Sequence, residues 1–209
     1  MAPTLPIGTA DTHFTFTREQ SVPKRLRPSG FTIIELLMVL AIIAIISAVA
    51  LPQLDFTRYR IDGAVRGLSG AMAAAQRKAV TNQSNVNVIF VVSQNAIRVH
   101  EDDNNDNAIG SNERVRQYPL GEGVEYGVGG APTRTYTPEP ISFTRTNGGL
   151  PEVIFRRDGS ASENGAVYLT SINATARGRS QDARSIELIE ATGRVEWFRY
   201  TGAAWQKKF

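Results

Sequence analysis

Three groups of residues in this 209-residue chain are of types, and at spacings, that could do chemistry. The first is a lone carboxylate, Glu35, inside the run from Phe31 to Leu51 (FTIIELLMVLAIIAIISAVAL). There 18 of 21 residues are apolar, the exceptions being Thr32, Glu35 and Ser47. A carboxylate in such surroundings is costly in hydrocarbon and functional by default, with a cation as its natural partner. A cut between Gly30 and Phe31 would supply that cation, because the new α-amino group of Phe31 would sit about one helical turn from Glu35. The same amine on a neighbouring chain would serve equally well if such helices pack side by side. The plain alternative is a glutamate that snorkels to the headgroups.

The second group is the acidic segment EDDNNDNAIGSNE at residues 101–113. Asp102, Asn104, Asp106 and Glu113 fall at positions 1, 3, 5 and 12 of a calcium loop, where alternating oxygen ligands wrap a hard cation and the carbonyl of Ala108 completes the shell. The sixth position holds Asn107 rather than glycine, and asparagine tolerates left-handed backbone better than most residues. The flanks read as strands, so this is no helix-flanked EF-hand, and a solvated acidic hairpin loop is the alternative reading. Calcium is the one cofactor the sequence suggests, and nothing in it requires one. The third group is a basic tail. Arg177, Arg179, Arg184, Arg194, Arg199, Lys207 and Lys208 face four acids after Ala176, with Trp197, Phe198, Tyr200 and Trp205 interleaved. Cations among aromatics can hold phosphates and stack bases, which makes Arg177, Arg179 and Arg194 candidate nucleic-acid contacts. Strand aromatics are also ordinary core or sheet-surface residues.

Catalysis has little footing. There is no cysteine, which excludes disulfide frameworks, thiolate metal sites and cysteine nucleophiles. The two histidines are His13 and His100, too few for a multi-histidine site. His100 beside Glu101 reads as a polar residue at a strand end rather than a general base. No serine–histidine–acid order, P-loop or redox motif is present, so no catalytic residue is assigned and the expectation is a non-enzyme. The net charge of +3 is too small to indicate a nucleic-acid partner by itself.

The elements that must position these groups follow from hydropathy and period. Phe31 to Leu51 would span about 31 Å as a helix, close to the hydrocarbon thickness of a bilayer. Lys24, Arg25 and Arg27 precede it, which holds the amino-terminal end in the cytoplasm and places the remainder beyond the membrane. No small-residue cleavage site directly follows the apolar core, so this is not an ordinary secretory signal. Next, Ile61, Val65, Leu68, Met72, Ala75 and Ala79 recur at steps of three and four, one face of a helix suited to packing on a sheet. Arg58, Arg60, Asp62, Arg66, Arg77 and Lys78 occupy the other face. Gly63, Gly67 and Gly70 each cost about 1 kcal/mol relative to alanine in a helix and permit close approach of another element. The helix is expected to end near Asn82 to Asn85. From Val86 the pattern is β: strands are expected at 86–92, 96–100, 114–118, 124–128, 141–143, 153–155, 166–169, 185–189 and 194–200. Ser93-Gln94-Asn95, Asp158-Gly159 and Thr192-Gly193 are the turns. Glycine and proline between 119 and 151 mark long loops. The fold class is α+β, one long amino-terminal helix on an antiparallel sheet domain.

The run Gly30-Phe31-Thr32-Ile33-Ile34-Glu35-Leu36-Leu37-Met38-Val39 resembles the class III signal of type IV pilins and type II secretion pseudopilins. The resemblance implies cleavage by prepilin peptidase between Gly30 and Phe31, methylation of the Phe31 amine, and a role for Glu35 in registering subunits during assembly. Residues 1–30 would be the removed leader, 31–52 the transmembrane helix, 53–85 an amphipathic helix continuing the spine, and 86–209 a periplasmic β-rich domain. The leader holds four of the 23 basic and two of the 20 acidic residues, so the mature chain keeps 19 against 18. The tail resembles the GspH/FimT branch of the pilin superfamily through Val153-Ile154-Phe155 with Asp158-Gly159-Ser160-Ala161, Gly165 to Leu169, and Arg184 to Ile189 with Gly193-Arg194-Val195. What this implies is a minor pseudopilin of a type II secretion system in the bacterial inner membrane. It would assemble with other pseudopilins or pilins on an inner-membrane platform and support protein export. The alternative is a FimT-like minor type IV pilin in pilus assembly or DNA uptake. A Gly-Arg-x-Arg element serves DNA binding in part of that branch, but here Gly193-Arg194-Val195 is followed by Glu196, and Gly178-Arg179-Ser180 by Gln181.

Overall fold

The computed structural model describes residues 30–50, 56–137 and 140–208, the side chains of residues 49 and 50 apart. The chain divides into two compact units, residues 1–52 and 53–209.

In the first unit, helix α1 (Ile33–Ala50) carries the apolar run. Leucine, isoleucine, alanine and valine cover it on every side, and none of its described side chains is buried. A helix apolar all round has no solvent face. Phe31 and Thr32 precede the helix instead of forming its first turn. Of the expected 21-residue span, α1 as described holds 18 residues, about 27 Å at 1.5 Å per residue, and Leu51 lies outside the described residues. Among the described residues no helix is long and apolar enough to cross a membrane. The leader, Gly30 apart, and the expected passage from one helix to the next through 51–55 lie outside the described residues.

In the second unit, α2 (Thr57–Asn82) buries Ile61, Ala64, Val65, Leu68, Met72, Ala75 and Ala79, the face that the three-and-four spacing marks. It ends where Gln83 adopts left-handed backbone (φ 55°). The stripe packs on two five-stranded antiparallel sheets. In the first sheet β1 (Asn85–Val91) lies between β2 (Ala96–Asp102) and β6 (Leu150–Phe155), with β3 (Arg114–Pro119) and β5 (Thr146–Asn147) at the edges. In the second, β7 (Gly165–Ser171), β8 (Arg184–Ile189) and β9 (Arg194–Tyr200) form the centre, and β4 (Val124–Tyr126) and β10 (Trp205–Lys208) the edges. Alternate residues of both sheets, such as Val86, Val88 and Phe90 of β1 and Val167 and Leu169 of β7, join the α2 stripe in a single core. This is the expected α+β arrangement of a long helix on antiparallel sheets.

Polar contacts fix where α2 lies. Lys78 pairs with Glu101 of β2. Gln76 donates to the carbonyls of Gly159 and Thr192 at 2.8 and 2.7 Å, joining both expected turns to the helix. Gly193 turns with φ 60°, and a Cβ there would meet the Gly159 oxygen at 2.2 Å, so only glycine fits.

Loops cover the faces of both sheets that point away from α2. Tyr168 of β7 is fully buried because the segment after β4 crosses over it, with the Arg134 N–H on its hydroxyl at 3.1 Å. The segment between β2 and β3 crosses the first sheet in the same way. The strand expected at Ile141–Phe143 is one isolated bridge, Ile141 to Val167. Its apolar residues signal the core, where Phe143 stacks on Phe90 at 5.4 Å, and not a paired strand. β4 stops at Tyr126 rather than Val128, because the chain turns through Gly129 and Gly130 with φ 57° and 83°. β5 and β10 have no counterpart in the sequence reading.

Candidate functional site

At the amino-terminal site Gly30 and Phe31 are exposed and lie outside helix ahead of α1, which leaves their peptide bond accessible. Glu35 lies in the first turn and is exposed. Its N–H donates to Thr32 Oγ1 at 3.2 Å, and the Leu36 N–H donates to the Thr32 carbonyl at 3.1 Å. Thr32 is therefore the N-cap and Glu35 stands three residues on, the spacing of a capping box. The helix dipole favours a negative charge in this first turn. Thr32 was missed as a positioning residue, although the Thr-x-x-Glu pattern ahead of an apolar run is a legible cap signature.

The acidic segment folds back over the first sheet. One carboxylate oxygen from each of Asp102, Asp106 and Glu113 lies within 4.8 Å of the others. Asp102, only 1% exposed, accepts from the N–H groups of Asp106 (3.1 Å) and Asn107 (2.9 Å). Asp106 accepts from the Ala108 N–H at 2.8 Å and from the Asn104 amide at 2.8 Å. Asn104 Oδ1 is itself taken by the Asp106 N–H at 2.9 Å. Three of the five spaced residues thus converge as carboxylates, while Asn104 and Ala108 are seen closing the turn. Glu113 Oε2 accepts from Gly110 N–H at 2.7 Å and lies 2.7 Å from His100 Nε2. The Gly110 N–H first, and His100 second, hold the Glu113 carboxyl below the usual carboxylate range.

His100 is not at a strand end. It stands inside β2, fully buried, and its partner is Glu113, not the adjacent Glu101. Neighbours in a strand point to opposite faces, so His100 looks toward the loop and Glu101 toward α2. Asn107 takes φ 62°, the left-handed backbone expected at the sixth loop position. Its side chain accepts from Asn87 at 2.7 Å and donates to Glu152 at 3.2 Å, anchoring the loop on the sheet. Asn87 and Glu152 were not legible as partners, because that contact depends on which strands become neighbours.

The basic tail does not form one patch. Arg184 is fully buried, donating to Asp62 of α2 at 2.6 Å, and burial lowers its pKa despite that partner. Arg179 pairs with Asp182 at 2.9 Å, and Arg194 with Glu196 at 2.7 Å. A hydrogen bond from Lys207, and the charge of Arg194, hold Glu196 below the usual carboxylate range. Arg177 and Arg179 precede β8. Arg194 sits opposite Ile189 at its far end, five residues or about 17 Å along the ladder. Trp205 packs on Tyr200 and Tyr168 with centroids at 5.3 and 6.1 Å, which marks it as a packing aromatic.

Residues 25–51 match the family described as the prokaryotic N-terminal methylation motif. The amino-terminal segment thus carries a prokaryotic N-terminal methylation motif, in line with the resemblance seen in its sequence. No curated protein matches the chain. Among solved structures, the chain is similar to the minor pseudopilin EpsH from the type 2 secretion system of Vibrio cholerae, with a TM-score of 0.42 and 9% identity, over 66% of this chain and 94% of that one.

Proposed function

We propose that this chain is a minor pseudopilin that is cut between Gly30 and Phe31, methylated on the Phe31 amine and assembled into the periplasmic fibre of a type II secretion system. One observation carries the reading: a single carboxylate, Glu35, four residues beyond an exposed Gly-Phe bond at the head of an apolar helix, within a segment that matches a methylation motif. Before assembly the apolar helix is held in the inner membrane with the leader in the cytoplasm, and the β domain lies in the periplasm. The role is mechanical, with no catalytic step. In the fibre, the amine of a neighbouring subunit satisfies Glu35, so that an isolated charge in an apolar setting becomes a paired one. Its partners are prepilin peptidase, the inner-membrane assembly platform and other pseudopilins or pilins. The secretion assignment is supported by the GspH-like segments around Val153, Gly165 and Arg184. DNA capture draws no support from arginines at opposite ends of a sheet.

The test is incorporation. Glu35→Ala and Glu35→Gln, expressed in cells that build the fibre, should each lower the subunit's share in sheared fibres by about tenfold or more, the effect of losing roughly 1.4 kcal/mol. Their membrane levels and the melting temperature of the β domain should be unchanged. Wild-type incorporation of both variants would contradict the pairing mechanism.

A further inference from the structure

The face of the first sheet beneath the acidic loop is polar and closed off. Asn87, His100 and Glu152 are fully buried there, and Asp102 nearly so. Asn87 stands opposite His100 in the β1–β2 register. Buried polar atoms almost always find partners, yet in this layer Asn87 Oδ1, His100 Nδ1, Glu113 Oε1 and Glu152 Oε2 have none. The Glu113 side chain is 6% exposed. One oxygen of its carboxylate is held by His100 and Gly110, the other has no hydrogen-bond partner, and the carboxylate belongs to the cluster with Asp102 and Asp106. An anionic oxygen buried without a donor, beside two further carboxylates, lacks a positive charge. A cleft of about 420 Å³ lined by Asp103, Asn104, Gly110, Ser111, Asn112 and Glu113 opens beside it.

We propose that Asp102, Asp106 and Glu113 hold a divalent cation, calcium in preference to magnesium, with Glu113 Oε1 as its inward ligand. The donors are all hard oxygens on a turn of irregular shape. Calcium accepts six to eight such ligands in flexible geometry, whereas magnesium demands a near-ideal octahedron and keeps its water. His100 lies outside the converging group of carboxylates and meets it only through its Nε2 contact with Glu113. It is a positioning residue that orients the carboxylate from behind. Asn107 supplies both the left-handed turn and the anchor to Asn87 and Glu152, so the cation fixes the loop against the sheet.

The test uses the full chain in detergent micelles, titrated with calcium chloride by calorimetry after treatment with chelator, and melted with and without calcium. The proposal expects one calcium per chain with a Kd between about 10⁻⁵ and 10⁻³ M, the span from sensor sites to extracellular modules. It also expects a higher melting temperature in calcium and at least tenfold weaker binding of magnesium. Glu113→Gln and Asp106→Asn should weaken calcium binding by at least tenfold, and Glu122→Gln, on the exposed turn between β3 and β4, should bind as the wild type does. The wild-type chain overturns the proposal if it shows neither calcium heat nor a shift in melting at about 10 mM calcium. Equal affinity for magnesium, or calcium binding unchanged in Glu113→Gln and Asp106→Asn, also overturns it. Should either variant melt below the assay temperature in chelator, the wild-type titration alone decides.

Discussion

Arg184 shows how one residue changes meaning between sequence and structure. In the sequence it belongs to a basic tail. In the structure it is fully buried, and its guanidinium holds Asp62 of α2 and the carbonyls of Gln181 and Ala183, both at 3.0 Å. Removing one member of a buried ion pair strands the other, at a cost of about 3–5 kcal/mol, while replacing both by apolar residues is often neutral. Arg184→Ala should therefore lower unfolding free energy by about 3–5 kcal/mol in denaturant melts. The paired change Arg184→Met with Asp62→Leu should recover most of that loss. A single-variant loss below about 1 kcal/mol would show that the pair does not hold helix to sheet. Placements that depend on neighbours in the chain, Gly30, Phe31 and Glu35 at the head of α1 and the carboxylates of the Asp-x-Asn-x-Asp run in one turn, could be read from the sequence. Those defined by neighbours across the fold, Arg184 with Asp62 and His100 with Glu113, could not, since 122 and 13 residues separate them.

Elements with strong period were readable and elements fixed by pairing were not. The α2 stripe follows from apolar spacing alone, and the central strands from β-branched runs between glycine and asparagine turns. β10 escaped because Trp205-Gln-Lys-Lys has no apolar alternation, and it exists only by pairing with β9. Ile141–Phe143 misled because burial and strand pairing share the same residue preferences. The glycines of α2 invite a further check. A Cβ on Gly70 would meet nothing within 4 Å, and the helix is regular there. Gly70→Ala should stabilise the second unit by about 0.5–1 kcal/mol, through the higher helix propensity of alanine and a less free unfolded chain. The corresponding rise in melting temperature is roughly 1–4 °C. A fall in melting temperature would mean that Gly70 serves a contact or a bend that α2 does not show.

Over the whole molecule, the two units divide the work. The first offers an exposed Gly-Phe bond, a threonine-capped helix start and an apolar helix with one carboxylate. The second is a helix-on-sheet domain whose outer sheet faces are closed by loops, one of them the acidic turn proposed to take calcium. Processing at the junction of leader and helix is the step that the proposed role requires first. Intact-mass and amino-terminal peptide spectrometry of the protein from cells with active prepilin peptidase should find a chain beginning at Phe31, heavier by one methyl group on its amine. In cells lacking that peptidase, residues 1–30 should remain attached. Recovery of the chain with its leader intact while the peptidase is active would contradict the account.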